Sequence, residues 1–299
     1  MKHPARASLH QTGMALIVAL LVVAMVAAMS LLFTSRQQLW MRQLENRNGF
    51  TTATMIAFAA IDMTRLTLRD DARNTKVDHL LEPWTIPIPP IAVEEGHIAG
   101  RLRELQGRFN LANLLPASDA TLKEDDPGLL RASRALGVST GDIAKLLQAF
   151  QDLRKQEPGS TPELAELLER AGLQSDSSQA ALLQHAVILP ETTPVNANFA
   201  DAEALQASIA GLSSGDASAV IARRASKPFM NMDEFREALP AGLRATLKED
   251  AITLQSRYFI VEIDAWFNQV HLGYEAQLRR DGTNMPEVLW SRRSSFADS

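Results

Sequence analysis

Residues 10–33 read His10-Gln11-Thr12-Gly13 and then MALIVALLVVAMVAAMSLLF, a run from Met14 to Phe33 in which Ser30 is the only polar side chain. A helix of that length spans about 30 Å, the thickness of a bilayer's hydrocarbon core. A cleaved secretory signal has a shorter apolar region, roughly 7–15 residues, closed by a small-residue boundary. Here the continuation, residues 35–50, is SRQQLWMRQLENRNGF, which is polar and helix-favouring. The run is therefore expected to stay in the membrane as a helix. Lys2 and Arg6 precede it and Arg36, Arg42 and Arg47 follow it, so the basic flanks do not decide its orientation.

The helix is expected to continue past the membrane. No proline occurs between Pro4 and Pro83, and Gly49 is the only glycine between Gly13 and Gly96. Leu39, Trp40, Leu44, Met55, Phe58, Ile61, Met63 and Leu66 recur at three- and four-residue steps, which predicts an apolar stripe on an otherwise polar helix. Met14 to Leu68 would reach about 80 Å at 1.5 Å per residue.

Composition narrows the class. The chain has 299 residues, 46% hydrophobic and 22% charged, which excludes a wholly disordered chain and a polytopic membrane protein. Its formal charge of -5 argues against general nucleic-acid binding, which wants a basic face. Cysteine is absent, so disulfides, thiolate zinc sites and a cysteine nucleophile are excluded. The six histidines are scattered, and neither a P-loop nor a dinucleotide fingerprint occurs. His79 and His271 read as surface or capping residues. Gly211-Leu212-Ser213-Ser214-Gly215 matches a nucleophile elbow, but that turn needs a strand before it and the preceding residues read as helix. The chain reads as non-catalytic, with no cofactor.

A short basic leader ending in Gly13 against an apolar helix resembles the cleavage site of type IV prepilins. The resemblance implies a dedicated peptidase that cuts after Gly13 on the cytoplasmic side and methylates the new amino terminus, Met14. Leu16, Ile17 and Val18 would then begin the membrane and assembly helix. Pilins and most pseudopilins carry Glu at the fifth mature position, where this chain has Val18. A carboxylate in hydrocarbon costs on the order of 2.5–3.5 kcal/mol unless paired. In pilins its partner is the amino terminus of the subunit ahead, so a subunit with Val18 suits the leading end. That departure resembles the minor pseudopilin family of general secretion pathway protein K.

The resemblance extends along the rest of the chain. Gly96 through Glu104-Leu105-Gln106-Gly107-Arg108-Phe109-Asn110-Leu111-Ala112-Asn113-Leu114 resembles its D-x-Q-G-R-F-N-L-N-N-L stretch, with Glu104 for Asp and Ala112 for the first Asn of the pair. Read from the residues, this is a strand followed by an Asn-rich turn whose amides cap backbone groups. Residues 116–240 read as helices broken at 137–140, 158–162 and 190–194, with Thr161 as an N-cap before Pro162 and Glu163. STPELAELLERAGL and KPFMNMDEFREALP look like two copies of one cap-and-helix unit. Val195 to Phe229 resembles helix-hairpin-helix or SAM-like modules, as the family's all-helical insertion does. The family also implies calcium on acidic loops near a W-I-D-x-D stretch. Here Phe150 stands for the Trp, only Asp152 survives, and Glu124-Asp125-Asp126 reads as a solvated loop, so no metal ligand is assigned. Residues 256–263, 270–278 and 287–290 read as strands around a turn at 281–284.

The expected fold is α+β: a pilin-like long N-terminal helix packed on an antiparallel sheet, interrupted by an all-helical insertion. The expected division is a cleaved leader 1–13, a membrane half-helix 14–33, an amphipathic helix and first pilin-like part 34–115, a helical insertion 116–240, and closing strands 241–299. The resemblance implies a single-pass inner-membrane protein with its C-terminal domain in the periplasm. It would sit at the tip of a type II secretion pseudopilus with two smaller minor pseudopilins, the major pseudopilin and the prepilin peptidase as partners. Leu39, Leu44, Met55 and Phe58 would pack against those partners. Two alternatives stand beside it, a type IV pilus minor pilin and a membrane-anchored helix-hairpin-helix DNA receptor. The second is disfavoured because acids outnumber bases between residues 190 and 240 and the hairpin at Gly211-Leu212-Ser213 lacks a second glycine.

Overall fold

The computed structural model describes residues 12–93, 96–116, 123, 125–157, 159, 162–173 and 176–294. Helix α1 runs from Thr12 to Asn74, 63 residues or about 95 Å. It ends at the acidic and basic turn Asp70-Asp71-Ala72-Arg73. Every described side chain from Met14 to Asn48 is exposed, so the apolar run and the polar stretch after it both stand clear of the body. Of the leader, residues 1–11 lie outside the described residues, while Thr12 and Gly13 belong to the helix.

After α1 come strands β1 (Ile88–Val93), β2 (Gly96–Glu104) and β3 (Phe109–Asn110). The helical body follows: α2 (Pro127–Leu136), α3 (Thr140–Gln156), α4 (Leu164–Arg170), α5 (Asp176–His185), the short strands β4 (Ala186–Val187) and β5 (Val195–Asn196), then α6 (Ala202–Ser208), α7 (Ser214–Ser226), α8 (Met232–Ala238) and α9 (Ala241–Arg244). The chain closes with β6 (Ile252–Thr253), β7 (Tyr258–Phe267), β8 (Val270–Arg279) and β9 (Glu287–Ser294). The main sheet is antiparallel in the order β1-β2-β7-β8-β9, so strands from both sides of the helical body share it. The α+β architecture with a helical insertion is the one expected.

β7 lies at the centre of the sheet and is buried on both faces. Phe259, Val261, Ile263 and Ala265 face α1. Tyr258 and Ile260 face the helical body through Leu105 and Leu189. That two-sided burial is why Tyr258-Phe259-Ile260-Val261 is a continuous apolar run and not a polar alternation. β1 forms an edge, and Pro89-Pro90 interrupts its pairing between Ile88 and Ile91. Proline has no N–H to offer a further strand, which guards that edge.

The face of α1 that meets the sheet is not the stripe of large residues. Ala53, Ala57, Ala60, Ile61 and Leu68 are buried against β7 and β8, whereas Leu39, Trp40, Leu44, Met55, Phe58 and Met63 are exposed. Of the eight residues expected on the stripe, Ile61 alone is buried and Leu66 is half-buried. Alanines let the helix approach closely, and a larger residue at Ala57 would have to displace β7. Contact with the sheet starts at Gly49, where a Cβ would stand 3.1 Å from the Val270 side chain.

The core of the helical body draws on residues between Phe109 and Leu254. Its helices are short and capped by their own sequence: Asp126 caps α2, Ser139 caps α3, and Asn231 caps α8. The expected Thr161 cap lies outside the described residues. Glu163 occupies the N-cap of α4 and makes no side-chain capping bond. Its carboxylate instead pairs with Arg292 of β9.

Candidate assembly interface and junction

Two features could carry function, the exposed length of α1 and the polar junction where α1, the sheet and the helical body meet. Leu39 and Leu44 sit on the free part of α1. Met55 is 66% exposed and lines a groove of about 810 Å³ between α1 and the β1–β2 hairpin. Ala59, Met63, Ile86, Ile88 and Ile91 are among the residues of its apolar wall. Phe58 points the other way, its ring 5.4 Å from that of Tyr274 on β8. The four residues expected to form one partner face are thus spread over the free helix, the groove and the opposite flank. An apolar surface of this size on a helix is an interaction surface by default. Leu16, Ile17 and Val18 are also exposed, within the apolar run.

The Gln106–Leu114 segment makes the junction. The Gln106 side chain accepts from the N–H groups of Arg257 (2.5 Å) and Tyr258 (3.2 Å) and donates to the Pro194 carbonyl (3.0 Å). Gly107 lies so close to Phe199 that a Cβ would stand 2.7 Å from the Phe199 Cβ. Asn110 is 1% exposed. Its Oδ1 accepts from Ala112 and Leu189 N–H (3.1 Å each), and its Nδ2 donates to the Glu191 carbonyl (2.8 Å) and Thr193 Oγ1 (3.0 Å). Asn113 exchanges two bonds with the Thr193 backbone, at 2.8 and 2.9 Å. The expected Asn-rich capping turn is therefore a clamp that binds three chain segments. Glu104 accepts from the N–H groups of Gln106 and Gly107 (2.6 Å each), and burial pushes its carboxyl up to about 7.

A second polar cluster lies at the end of α1, and the sequence reading missed it. Arg280 is buried, with its Cζ 4.8 Å over the Phe259 ring. It pairs with Asp71 (3.0 Å) and Asp78 and donates to the Ser256 carbonyl (2.7 Å). Glu82 joins the two aspartates, and carboxylate oxygens of the three lie within 4.8 Å of one another. Burial first, then the charges of Asp71 and Asp78, push the Glu82 carboxyl up to about 8. Burial and the Asp78 charge also raise Asp71.

The other sequence features have local duties. Asp126 caps α2, Phe150 is in the core of the helical body, Asp152 accepts from Gln148, and Glu124 lies outside the described residues. Ser213 is the N-cap of α7 and follows α6 and a turn. Its side chain and that of Asp216 cap each other's backbone N–H, which places a carboxylate where a phosphate would dock. Arg224 is spent on the carbonyls of Ala197 and Ala200, 2.7 Å each. His79 accepts from the Leu81 N–H (3.3 Å), and His271 pairs with Asp264 (2.8 Å).

A single apolar helix emerging from an antiparallel sheet, with a helical body inserted between strands, defines a pilin-like subunit anchored by its N-terminal helix. The family model for type II secretion system protein K matches residues 195–255. Type II secretion system protein K of Pseudomonas aeruginosa is 27% identical over 301 residues, spanning 90% of this chain and 87% of that protein. The protein K of Aeromonas hydrophila is 30% identical over 151 residues, 48% of this chain and 46% of that protein. A chain in the crystal structure of the GspK-GspI-GspJ complex from the enterotoxigenic Escherichia coli type 2 secretion system shares the fold. Its TM-score is 0.66 at 18% identity, covering 85% of this chain and 99% of that one. By sequence and by fold, the chain is similar to type II secretion system protein K over most of its length.

Proposed function

We propose that this chain is the minor pseudopilin at the tip of the periplasmic pseudopilus, where it initiates or caps assembly in type II protein secretion. In this reading the leader of residues 1–13 is cut after Gly13 by the prepilin peptidase and Met14 is methylated. The helix of residues 14–33 stays in the inner membrane, and the domain after it lies in the periplasm.

One observation carries the reading. α1 packs on its own sheet with alanines and leaves its large apolar residues, Leu39, Leu44, Met55 and Phe58, exposed for other subunits. Their helices would lie along the free length of α1 and into the groove at Met55 and Met63. The matched complex holds GspI and GspJ beside GspK, which supports two smaller minor pseudopilins as partners. Val18 favours the leading position, because a glutamate there has no amino terminus ahead to pair with. A head enlarged by the inserted helical body suits the end of a filament better than its shaft. The role is assembly and not chemistry.

Co-expression of the full chain with the pseudopilins of its own operon, followed by detergent extraction and size measurement, tests this. A complex with two smaller pseudopilins is expected. A chain that remains monomeric with all of them contradicts the proposal.

A further inference from the structure

The acidic cluster at the end of α1 has a charge imbalance that the fold does not resolve. Asp71 comes from the last turns of the helix, while Asp78 and Glu82 come from the loop that follows. Against them stands Arg280, which pairs with both aspartates. Asp78 is further held by the Ser256 N–H at 2.5 Å. Glu82 has no such partner. It is 5% exposed, and among the described residues neither of its carboxylate oxygens makes a hydrogen bond. An unpaired buried carboxylate is among the costliest groups a fold can hold. Glu82 is nevertheless aimed at two other carboxylates, with an oxygen of each within 4.8 Å.

We propose that Asp71, Asp78 and Glu82 form a binding site for a divalent cation of the hard, oxygen-seeking class, calcium in particular, which ties the end of α1 to the loop after it. The donor set is all oxygen, which selects calcium or magnesium over zinc or copper. Two oxygens that share a calcium at 2.3–2.6 Å stand no more than about 5 Å apart, which matches the spacing here. Three ionised carboxylates and Arg280 leave two negative charges, and one divalent ion neutralises them. Two ligands on a loop and one on a helix make an irregular cage, which calcium tolerates and magnesium's octahedron does not. The site is distant in sequence from Phe150 and Asp152, where the family resemblance would have put a metal. Trp84, buried two residues after Glu82 with its rings against Phe199 and Phe259, supplies a built-in reporter.

The test uses the full chain in detergent micelles, with terbium as a luminescent stand-in for calcium and calcium itself in thermal melts. Tryptophan-sensitised terbium luminescence should appear, be displaced by calcium, and be lost in both Glu82→Gln and Trp84→Phe. The exposed control Glu166→Gln should keep it. Calcium at a hundredfold excess over its Kd should raise Tm by roughly 5 °C over a chelator, and Glu82→Gln should remove that rise. Glu82→Gln keeps the side chain's shape, so a folded variant is expected. If the wild type shows neither luminescence nor a calcium-dependent rise, the site does not bind cations. If Glu82→Gln melts higher than wild type in chelator while the wild type ignores calcium, the cluster holds a proton in place of a metal. If luminescence or the calcium rise survives in Glu82→Gln, the ion binds elsewhere.

Discussion

Replacing Asn110 by alanine should destabilise the folded body by several kcal/mol without touching the apolar N-terminal run of α1. Asn110 is 1% exposed and makes four hydrogen bonds, two as acceptor from Ala112 and Leu189 N–H and two as donor to Glu191 and Thr193. Alanine leaves two backbone N–H groups buried without an acceptor, each costing about 1–3 kcal/mol. Two lost donor bonds add about 1 kcal/mol or more apiece. Some relaxation is expected, so a net cost of roughly 3–5 kcal/mol is the working figure. Asn113, only half-buried, gives up two bonds to the Thr193 backbone, and its alanine variant should cost less, about 1–2 kcal/mol. Denaturant unfolding of the full chain in micelles, followed by tryptophan fluorescence, reads both. An Asn110→Ala protein within 0.5 kcal/mol of wild type, or an Asn113→Ala protein losing more, would refute the clamp. The pair also separates a structural motif from a functional one, because a partner-binding motif would lose association with stability unchanged.

Three further outcomes are expected. Intact-mass analysis of the membrane-extracted protein should show loss of residues 1–13 and an N-methylated Met14, and a bulky residue at Gly13 should leave the precursor uncut. Val18→Glu buries a carboxylate with no partner ahead of it, so the variant should be cleaved normally yet assemble and secrete less well, by at most about 2.5–3.5 kcal/mol of insertion cost. Improved pilus yield would instead mark a shaft subunit. Burial raises the Glu104 carboxyl from 4.5 to about 7 in the folded state, so the stability it contributes is fully present below pH 4.5 and is lost as pH rises through 7. Thermal melts in chelator should therefore fall between pH 5 and pH 8.5, and Glu104→Gln should reduce that slope, leaving the part that Glu82, raised to about 8, contributes.

Much of the fold was legible because its signals are local. Met14 to Phe33 is apolar all round, no proline interrupts residues 5–82, and the closing strands are β-branched and aromatic runs. The face of α1 that packs on the sheet was not legible, for a physical reason. Hydrophobic scales rank residues by size, whereas close helix-on-sheet packing selects Ala53, Ala57 and Ala60. The large residues that dominate the periodicity are the ones left outside. The GRFNL segment was legible as a strand and a capping turn, but its partners at 189–194 and 257–258 lie some 80 and 150 residues away. The acidic cluster had no local signature at all. Asp71, Asp78 and Glu82 follow no ligand spacing, and the arginine that pairs with two of them is more than 200 residues on.

The central claim is that the exposed side of α1 is where neighbouring pseudopilins dock. The chain has no cysteine, so single cysteines at Met55 or Phe58 can be paired with single cysteines along the helices of the two smaller minor pseudopilins and oxidised in cells. The account predicts a disulfide-linked heterodimer from the exposed positions and none from a cysteine at Ala57, which faces the protein's own sheet. Cross-linking from Ala57 equal to that from Met55 and Phe58, or none from any position while secretion is normal, would contradict it.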